Sequence, residues 1–576
     1  MSDSNLETLR HSASHILAAA VLDMFPEAKL GTGPATADGF YYDFQLPRSL
    51  IPEDLPLLEK KMKHLIKQNQ KFERSEEPIE QAREFFQKLG QNFKVEIIDE
   101  LEKKGETVAS FYKNGNFVDL CAGPHIDNTN KLKAFKLTKI SGSYWRGDAE
   151  RPAMQRIYGV AFDSAEELAS WEKLLEEAKK RDHRELGKKL QLFSFHEESP
   201  GAAFWHPRGK FLYDAVVGYM RAQNEARGYE EVMTPIVLSS ELWKRSGHYD
   251  NFKENMYFTQ FEERELAVKP MNCPGGCLMF GERLPSYREL PIKAAEFGTV
   301  HRLELSGVLH GLLRVRQFTQ DDAHVFCTPD QLQAEIEAIV EYTLAVYQHF
   351  GFNDFELFIA TRPEKSLGSD EIWEKATSAL EGALTARKMD FKVKAGEGAF
   401  YGPKIEFNVK DALGRNWQLG TCQVDFSMPA RFELSYIGED GEKHQPVMLH
   451  RAIVGSLERF IGVLIEHTGG ALPAWLCAEQ ARFIPVAQEF IPVCEEMAAE
   501  LKKAGIRAIV DASTDSLGKK VRNGEQMKIP YLLVVGEKEA QAKSVTVRER
   551  LPAGRQGEPE AQETLTVAEF VKKLLA

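Results

Sequence analysis

Apolar positions in residues 5–24 recur at helical spacing. Leu9, Ile16, Leu17, Ala20 and Leu22 form much of one side, which predicts an amphipathic helix. Residues 164–190 are charged throughout, with Ser164 and Glu166–Glu167 at the start, and predict a helical connector. Around 295–324 the pattern shifts to short apolar runs. A strand-like Phe297–Leu305, a Ser306–Gly307 turn and a strand-like Leu312–Phe318 predict an antiparallel hairpin. Further upstream, a long helix leads through Gly228–Tyr229 to a strand ending at Pro235, and residues 191–476 as a whole alternate long helices with strand signals. After Pro473 the pattern becomes strictly alternating. Strand 483–486, helix 487–504, strand 506–510, helix 518–527 and strand 531–535 predict a parallel-type α/β domain. Leu551–Glu558 reads as a surface loop before a last helix.

Composition narrows the class without naming a chemistry. A chain of 576 residues, 43% hydrophobic and 28% charged, has the make-up of a globular protein with about three or four domains. Seventy-three basic against 86 acidic residues give a net charge of −13. That excludes nucleic-acid coating by bulk charge but leaves room for a local basic groove. Seven scattered cysteines, an odd number without framework spacing, point to a reducing compartment. No apolar run approaches the roughly 18 residues of a membrane span. Asp3, Glu7 and Asp23 flank the apolar stretch Ile16–Leu22, so no signal peptide and a cytoplasmic location are expected.

Three clusters carry candidate chemistry. Arg302, Arg314 and Arg316 sit on the expected hairpin, where guanidiniums grip phosphates bidentately; the alternative is a solvated basic face. His11 and His15 are spaced i, i+4 and point from one helical face, and Cys121-Ala-Gly-Pro-His125 follows the strand-like Phe117–Leu120. Cys273 and Cys277 form the single close cysteine pair, a candidate for metal or redox chemistry.

Longer strings carry a resemblance. His301-Arg302-Leu303-Glu304 and Gly455-Ser456-Leu457-Glu458-Arg459 resemble the second and third signature motifs of class II aminoacyl-tRNA synthetases, and Gly228–Pro235 resembles the first. Met271-Asn-Cys-Pro-Gly, Gln320-Asp-Asp-Ala-His324 and Tyr401-Gly-Pro-Lys-Ile-Glu406 narrow this to the threonyl-tRNA synthetase family. HxxxH followed by CxxxH is similar to the editing domain that this family shares with alanyl-tRNA synthetases, with Tyr144–Asp148 and Arg156–Gly159 near its end. The resemblance covers nearly the whole chain.

It implies an α+β multidomain fold: an α+β editing domain over 1–163, a helical linker over 164–190, a class II catalytic domain over 191–476 with an antiparallel sheet flanked by helices, and an α/β anticodon-binding domain over 477–576. The family usually begins with a ubiquitin-like module. This sequence starts almost directly at the HxxxH helix, so a form lacking that module is expected. A homodimer formed through the first motif is implied, with threonine tRNA, ATP and L-threonine as partners and no membrane.

The implied activity is ATP-dependent attachment of threonine to tRNA through a threonyl-adenylate. Arg302 would grip the α-phosphate, and Arg314 and Arg459 the γ-phosphate and adenine end. Glu304 and either Gln418 or Gln423 would orient the adenosine, with Mg2+ bridging phosphate oxygens. Asp322 would hold the substrate ammonium, with Tyr401 and Lys404 lining the site. One zinc ion per chain would lie on Cys273, His324 and His450, with Cys277 a competing thiolate; the family usually carries histidine where Gly276 stands. Reading the hydroxyl would reject valine by a factor on the order of 10⁴–10⁵, whereas serine, one methyl smaller, differs by roughly 1–3 kcal/mol. A second site must therefore remove seryl-tRNA, and His11, His15, Cys121 and His125, with Lys94 and Asp119, supply it; whether they hold metal is open. Glu539 and Arg548 match anticodon-reading positions. Lys528 and Thr514 stand where arginine and asparagine are common, and Lys179, Lys180, Arg181 and Arg184 offer contacts to RNA backbone. The alternatives are a trans-editing seryl-tRNA hydrolase, an RNA-binding regulator, and a class II synthetase for serine or proline.

Overall fold

The computed structural model describes residues 3–148, 150–550 and 562–575. The chain divides into two compact units, one ending at Glu176 and the other beginning at Glu177. Among the described residues no helix is long and apolar enough to cross a membrane.

The first unit opens with the helix Asp3–Met24, whose Ala13, Ile16, Leu17, Ala20 and Val21 are buried. It packs on a sheet ordered Lys29–Leu30, Gly39–Gln45, Ala153–Phe162, Ala134–Tyr144, with Ala35–Thr36 against Gly39–Gln45. A three-stranded antiparallel sheet, Glu73–Pro78, Val108–Asn114 and Phe117–Leu120, lies beyond it. The expected connector over 164–190 is two helices, Ala165–Arg181 and His183–Lys189. Asp182 breaks it: its carboxylate accepts from Arg184 N at 2.9 Å and caps the second helix.

The second unit is built on an eight-stranded sheet. Its order is Glu230–Glu231, Ile292–His301, Gln317–Cys327, Val447–Ser456, Asn416–Asp425, Lys404–Lys410, Phe355–Ala360 and Phe391–Lys394. The six inner strands pair antiparallel, and each outermost strand pairs parallel to its neighbour. The helices Pro207–Glu225, Leu332–His349, Asp370–Ala386 and Leu457–Thr468 supply the core beside it. Leu457–Thr468 is buried almost all round, as a helix with apolar residues on every side must be.

The expected hairpin exists, but its second strand begins at Gln317, not Leu312. Leu312–Arg316 belongs to the loop, because its backbone bonds within the loop or outside the hairpin: Leu313 N to His310 O at 3.0 Å, His310 N to Arg314 O at 3.1 Å, and Arg316 N to Gly201 O at 2.7 Å. Leu312, Leu313 and Val315 are buried, which is why the segment reads as a strand.

The last hundred residues form a sheet ordered Ala508–Val510, Ala481–Pro485, Tyr531–Val535, Ser544–Glu549, Gln562–Thr566. The first three strands are parallel as the alternation predicts, and the last two add antiparallel. The loop expected at Leu551–Glu558 lies outside the described residues; the helix expected after it is Val567–Leu575.

Candidate active site and its two cavities

Strand register builds the site. His324 pairs with His450, His450 with Gln423, and Gln423 with Lys404, a row across four neighbouring strands. One step along, Asp322, Ala452, Thr421 and Glu406 form a second row. Residues two apart on a strand share a face, so one surface of the sheet presents both rows.

Cys273 closes over one end from the start of the helix Cys273–Gly281, with Pro274 in its first turn. The ligand atoms of Cys273, His324 and His450 lie within 4.8 Å of one another, and all three residues are buried. His324 Nε2 has no hydrogen-bond partner. Burial pushes the His324 imidazole down to about 4 and so keeps it neutral, and raises the Cys273 thiol. His450 Nε2 lies 3.0 Å from Asp425 Oδ2, which places the proton on Nε2 and leaves Nδ1 free. Asp425 is itself fixed by Ser427 N and Met428 N at 2.7 and 2.9 Å. A neutral imidazole with an orphaned nitrogen, a second imidazole steadied by a carboxylate, and a thiol together fit a soft divalent cation such as zinc. Cys277 points elsewhere, its Sγ 3.7 Å from Met448 Sδ and 4.0 Å from Met428 Sδ. At Gly276 an added Cβ would sit 3.1 Å from His324 Nδ1, so a small residue leaves that ring its room.

This cluster borders a cavity of about 270 Å³, which Asp322, Tyr401, Gln320 and Arg302 also line. Asn272 Nδ2 donates to Asp322 Oδ2 at 3.0 Å, leaving the other carboxylate oxygen for a ligand. A second cavity of about 320 Å³ is lined by Arg302, Glu304, Arg314, Gln418, Arg459 and Lys404, among others. Lys404 thus borders the second cavity, bound to Glu406 at 2.7 Å. Arg302, Gln320, Thr421, Gln423 and Ala452 line both. Arg302 is half-buried, with its guanidinium over Phe252 and Phe318 and, among the described residues, no carboxylate in ion-pair reach. Burial lowers its pKa, the mark of a cation awaiting an anion. Arg459 Nε donates to Leu313 O at 3.0 Å, and Arg314 pairs with Glu304 at 3.0 Å.

The first unit holds a separate cluster. His11, His15, Cys121 and His125 bring their ligand-type atoms within 4.8 Å of one another. They adjoin a cavity of about 600 Å³ that Lys94 and Asp119 also line. Lys94 Nζ lies 2.6 Å from Asp119 Oδ1, and the Tyr42 hydroxyl donates to Asp119 Oδ2 at 2.6 Å. Ser12 Oγ donates to Thr8 O and lies 3.0 Å from His125 Nδ1, which must therefore carry its proton there. His125 Nε2 is then bare, 3.3 Å from Cys121 Sγ. Burial pushes the Cys121 thiol up to about 11, so it donates its S–H, and burial holds all three imidazoles below their ordinary range. The arrangement is a neutral, base-rich pocket able to orient water. Ser12, Tyr42 and Asp425 carry no signal at the level of sequence; each is found through its partner in space.

In the C-terminal sheet Glu539 accepts from Gly536 N and from Thr546 Oγ1, both at 3.0 Å. Arg548 reaches Glu525 at 3.5 Å. Lys528 holds a left-handed backbone with φ 54°, and Thr514 is exposed.

Comparison with known proteins places these parts. Residues 109–158 match the threonyl and alanyl tRNA synthetase second additional domain, 256–468 the tRNA synthetase class II core domain (G, H, P, S and T), and 480–576 the anticodon binding domain. The threonine–tRNA ligase of Acetivibrio thermocellus is 50% identical over 544 residues, 94% of this chain and 85% of that one. That of Carboxydothermus hydrogenoformans is 48% identical over 574 residues, 100% of this chain and 89% of that one. A crystal structure described as the RNA binding domain of threonyl-tRNA synthetase from Cryptosporidium parvum Iowa II superposes with a TM-score of 0.65 at 44% identity, covering 68% of this chain and 98% of that one. With half its residues shared over nearly its full length, and with the class II core, the additional domain and the anticodon module in order, the chain belongs to the threonine–tRNA ligase family.

Proposed function

We propose that the chain attaches L-threonine to its tRNA in two steps and hydrolyses seryl-tRNA made in error. First the threonine carboxylate attacks the α-phosphorus of ATP, and pyrophosphate leaves with the electrons of the broken P–O bond. A ribose hydroxyl at the tRNA 3′ end then attacks the carbonyl carbon, and AMP leaves. Little covalent work falls to the protein; positioning and charge neutralisation supply the rate. Arg302, on the wall common to both cavities, is placed to grip the α-phosphate. Arg459 and Arg314 take the far phosphate and the adenine end, Glu304 and Gln418 the adenosine, and Mg2+ accompanies the phosphates.

Asp322 takes the substrate ammonium in the first cavity, and Tyr401 with Gln423 walls it. Cys273, His324 and His450 are the residues that would hold zinc. When bound, it supplies a Lewis acid that reads amino group and hydroxyl together. In the first unit His11, His15, Cys121 and His125 orient a water whose oxygen bonds to the seryl carbonyl carbon; the ester C–O bond breaks, and the ribose oxygen leaves with a proton from that water, freeing serine. Residues 1–163 thus edit, 164–190 connect, 191–476 activate, and 477–576 read the anticodon with Glu539 and Arg548. Two copies associate through the segment around Gly228–Pro235.

The observation that carries the reading is the register pairing of His324 with His450 beside Cys273, in a cavity sharing a wall with one rich in arginine. Exchange of labelled pyrophosphate into ATP tests it across threonine, serine, valine and proline. Threonine should drive exchange strongly, serine measurably and valine hardly at all. A proline-driven signal without a threonine one refutes the assignment.

A further inference from the structure

Within the second unit, His183 joins elements far apart in the chain. It is the first residue of the helix His183–Lys189 and is fully buried. Leu312 N donates to its Nε2 at 3.0 Å, so that nitrogen carries no proton. The proton therefore sits on Nδ1, 2.6 Å from Glu466 Oε1. Glu466 lies near the end of the helix Leu457–Thr468 that carries Arg459, and its other oxygen accepts from Arg415 at 2.5 Å. Asp182, His183 and Glu466 also meet the spacing of a metal group, but both ring nitrogens of His183 are already engaged.

The loop between the motif strands is thus tied at consecutive residues. His183 accepts from the N–H of Leu312, and Arg459 donates to the carbonyl of Leu313. Arg314 follows directly; its side chain is half exposed and borders the second cavity. Gly311 is required for this approach: its φ is +49°, and an added Cβ would fall 2.2 Å from His183 Nε2.

We infer that His183 is a positioning residue for ATP: by holding Leu312 it aims Arg314 into the arginine-lined cavity. The inference rests on reading that cavity as the nucleotide site. A backbone N–H left buried without its acceptor costs enough for the loop to shift or loosen. The loss should then fall on the nucleotide and spare the amino acid, whose cavity neither Leu312 nor Arg314 lines.

Pyrophosphate exchange on the full chain, varied separately in ATP and threonine, tests this with His183→Phe, His183→Gln, Arg314→Ala and the double change His183→Phe/Arg314→Ala. His183→Phe should raise KM for ATP roughly tenfold, the scale of one lost hydrogen bond, and leave KM for threonine within about twofold. His183→Gln keeps an acceptor and should recover most of the loss. With Arg314 already removed, His183→Phe should add little, because the two act in series. An unchanged KM for ATP in His183→Phe, with a raised one in Arg314→Ala, overturns the inference. Equal rises in both KM values, or additive effects in the double variant, overturn it too. If Arg314→Ala itself leaves KM for ATP unchanged, the nucleotide reading of the cavity fails instead. Should His183→Phe not fold, Gly311→Ala presses on the same hydrogen bond from the loop side. The same KM split is expected, and its absence overturns the inference.

Discussion

The Tyr401 hydroxyl donates to Gln423 Oε1 at 2.6 Å, and its ring lies 5.0 Å from that of His450. Gln423 belongs to the wall between the cavities, so this bond turns its amide toward the first. Tyr401→Phe should raise KM for threonine roughly tenfold and leave KM for ATP within about twofold. A rise confined to ATP would give Gln423 to the adenosine in place of Gln418.

The three-residue cluster should bind about one zinc per chain. Elemental analysis of purified protein checks the stoichiometry. Cys273→Ala should lose both the metal and threonine activation. Cys277→Ala should keep both, since its sulfur packs between two methionine thioethers. Full activation of threonine by metal-free protein would end the idea.

Combining His11→Ala with His15→Ala should let seryl-tRNA accumulate while threonine charging continues at near-normal rate. The pair lies in a unit that carries none of the arginines of the second cavity. Labelled serine and threonine, charged in parallel, report both. A collapse of threonine charging would show that the histidines hold the structure up, not the ester.

Glu458 gives a pH dependence. It is a buried residue of the third motif, accepts from Thr319 N at 2.9 Å, and burial raises it from 4.5 to about 7. The folded state therefore keeps a proton that the unfolded state releases. Its contribution is fully present below about 4.5 and lost as pH rises through about 7, a difference on the order of 3 kcal/mol. Glu458→Gln retains an acceptor for Thr319 N and cannot ionise. Denaturant midpoints at about pH 5 and about pH 8 should fall less in the variant than in the parent. Equal falls in both would show that the carboxyl does not titrate in that window.

Long periodic segments were legible: the helix ending at Met24 and the alternating elements after Pro473 lie where apolar spacing places them. Leu312–Arg316 reads as a strand because a loop that buries Leu312, Leu313 and Val315 is as apolar as one, and only its hydrogen-bond partners tell the two apart. The motif strings pointed to Cys273, His324 and His450 only through resemblance. No spacing rule connects positions 273, 324 and 450, because their meeting depends on strand register. Tyr42 and His183 were silent for the same reason: Asp119 is 77 residues from the first, and Leu312 is 129 from the second.

Arg302, Gln320, Thr421, Gln423 and Ala452 belong to both cavities, so the two ligands meet across one shared wall. Whatever free energy one occupant spends on settling that wall is spared to the next. By linkage the effect is symmetrical: the factor by which threonine changes the affinity for ATP equals the factor by which ATP changes the affinity for threonine. Order of arrival then sets the route to the ternary complex and not its stability, and a change in the wall that alters the coupling alters it equally for both ligands.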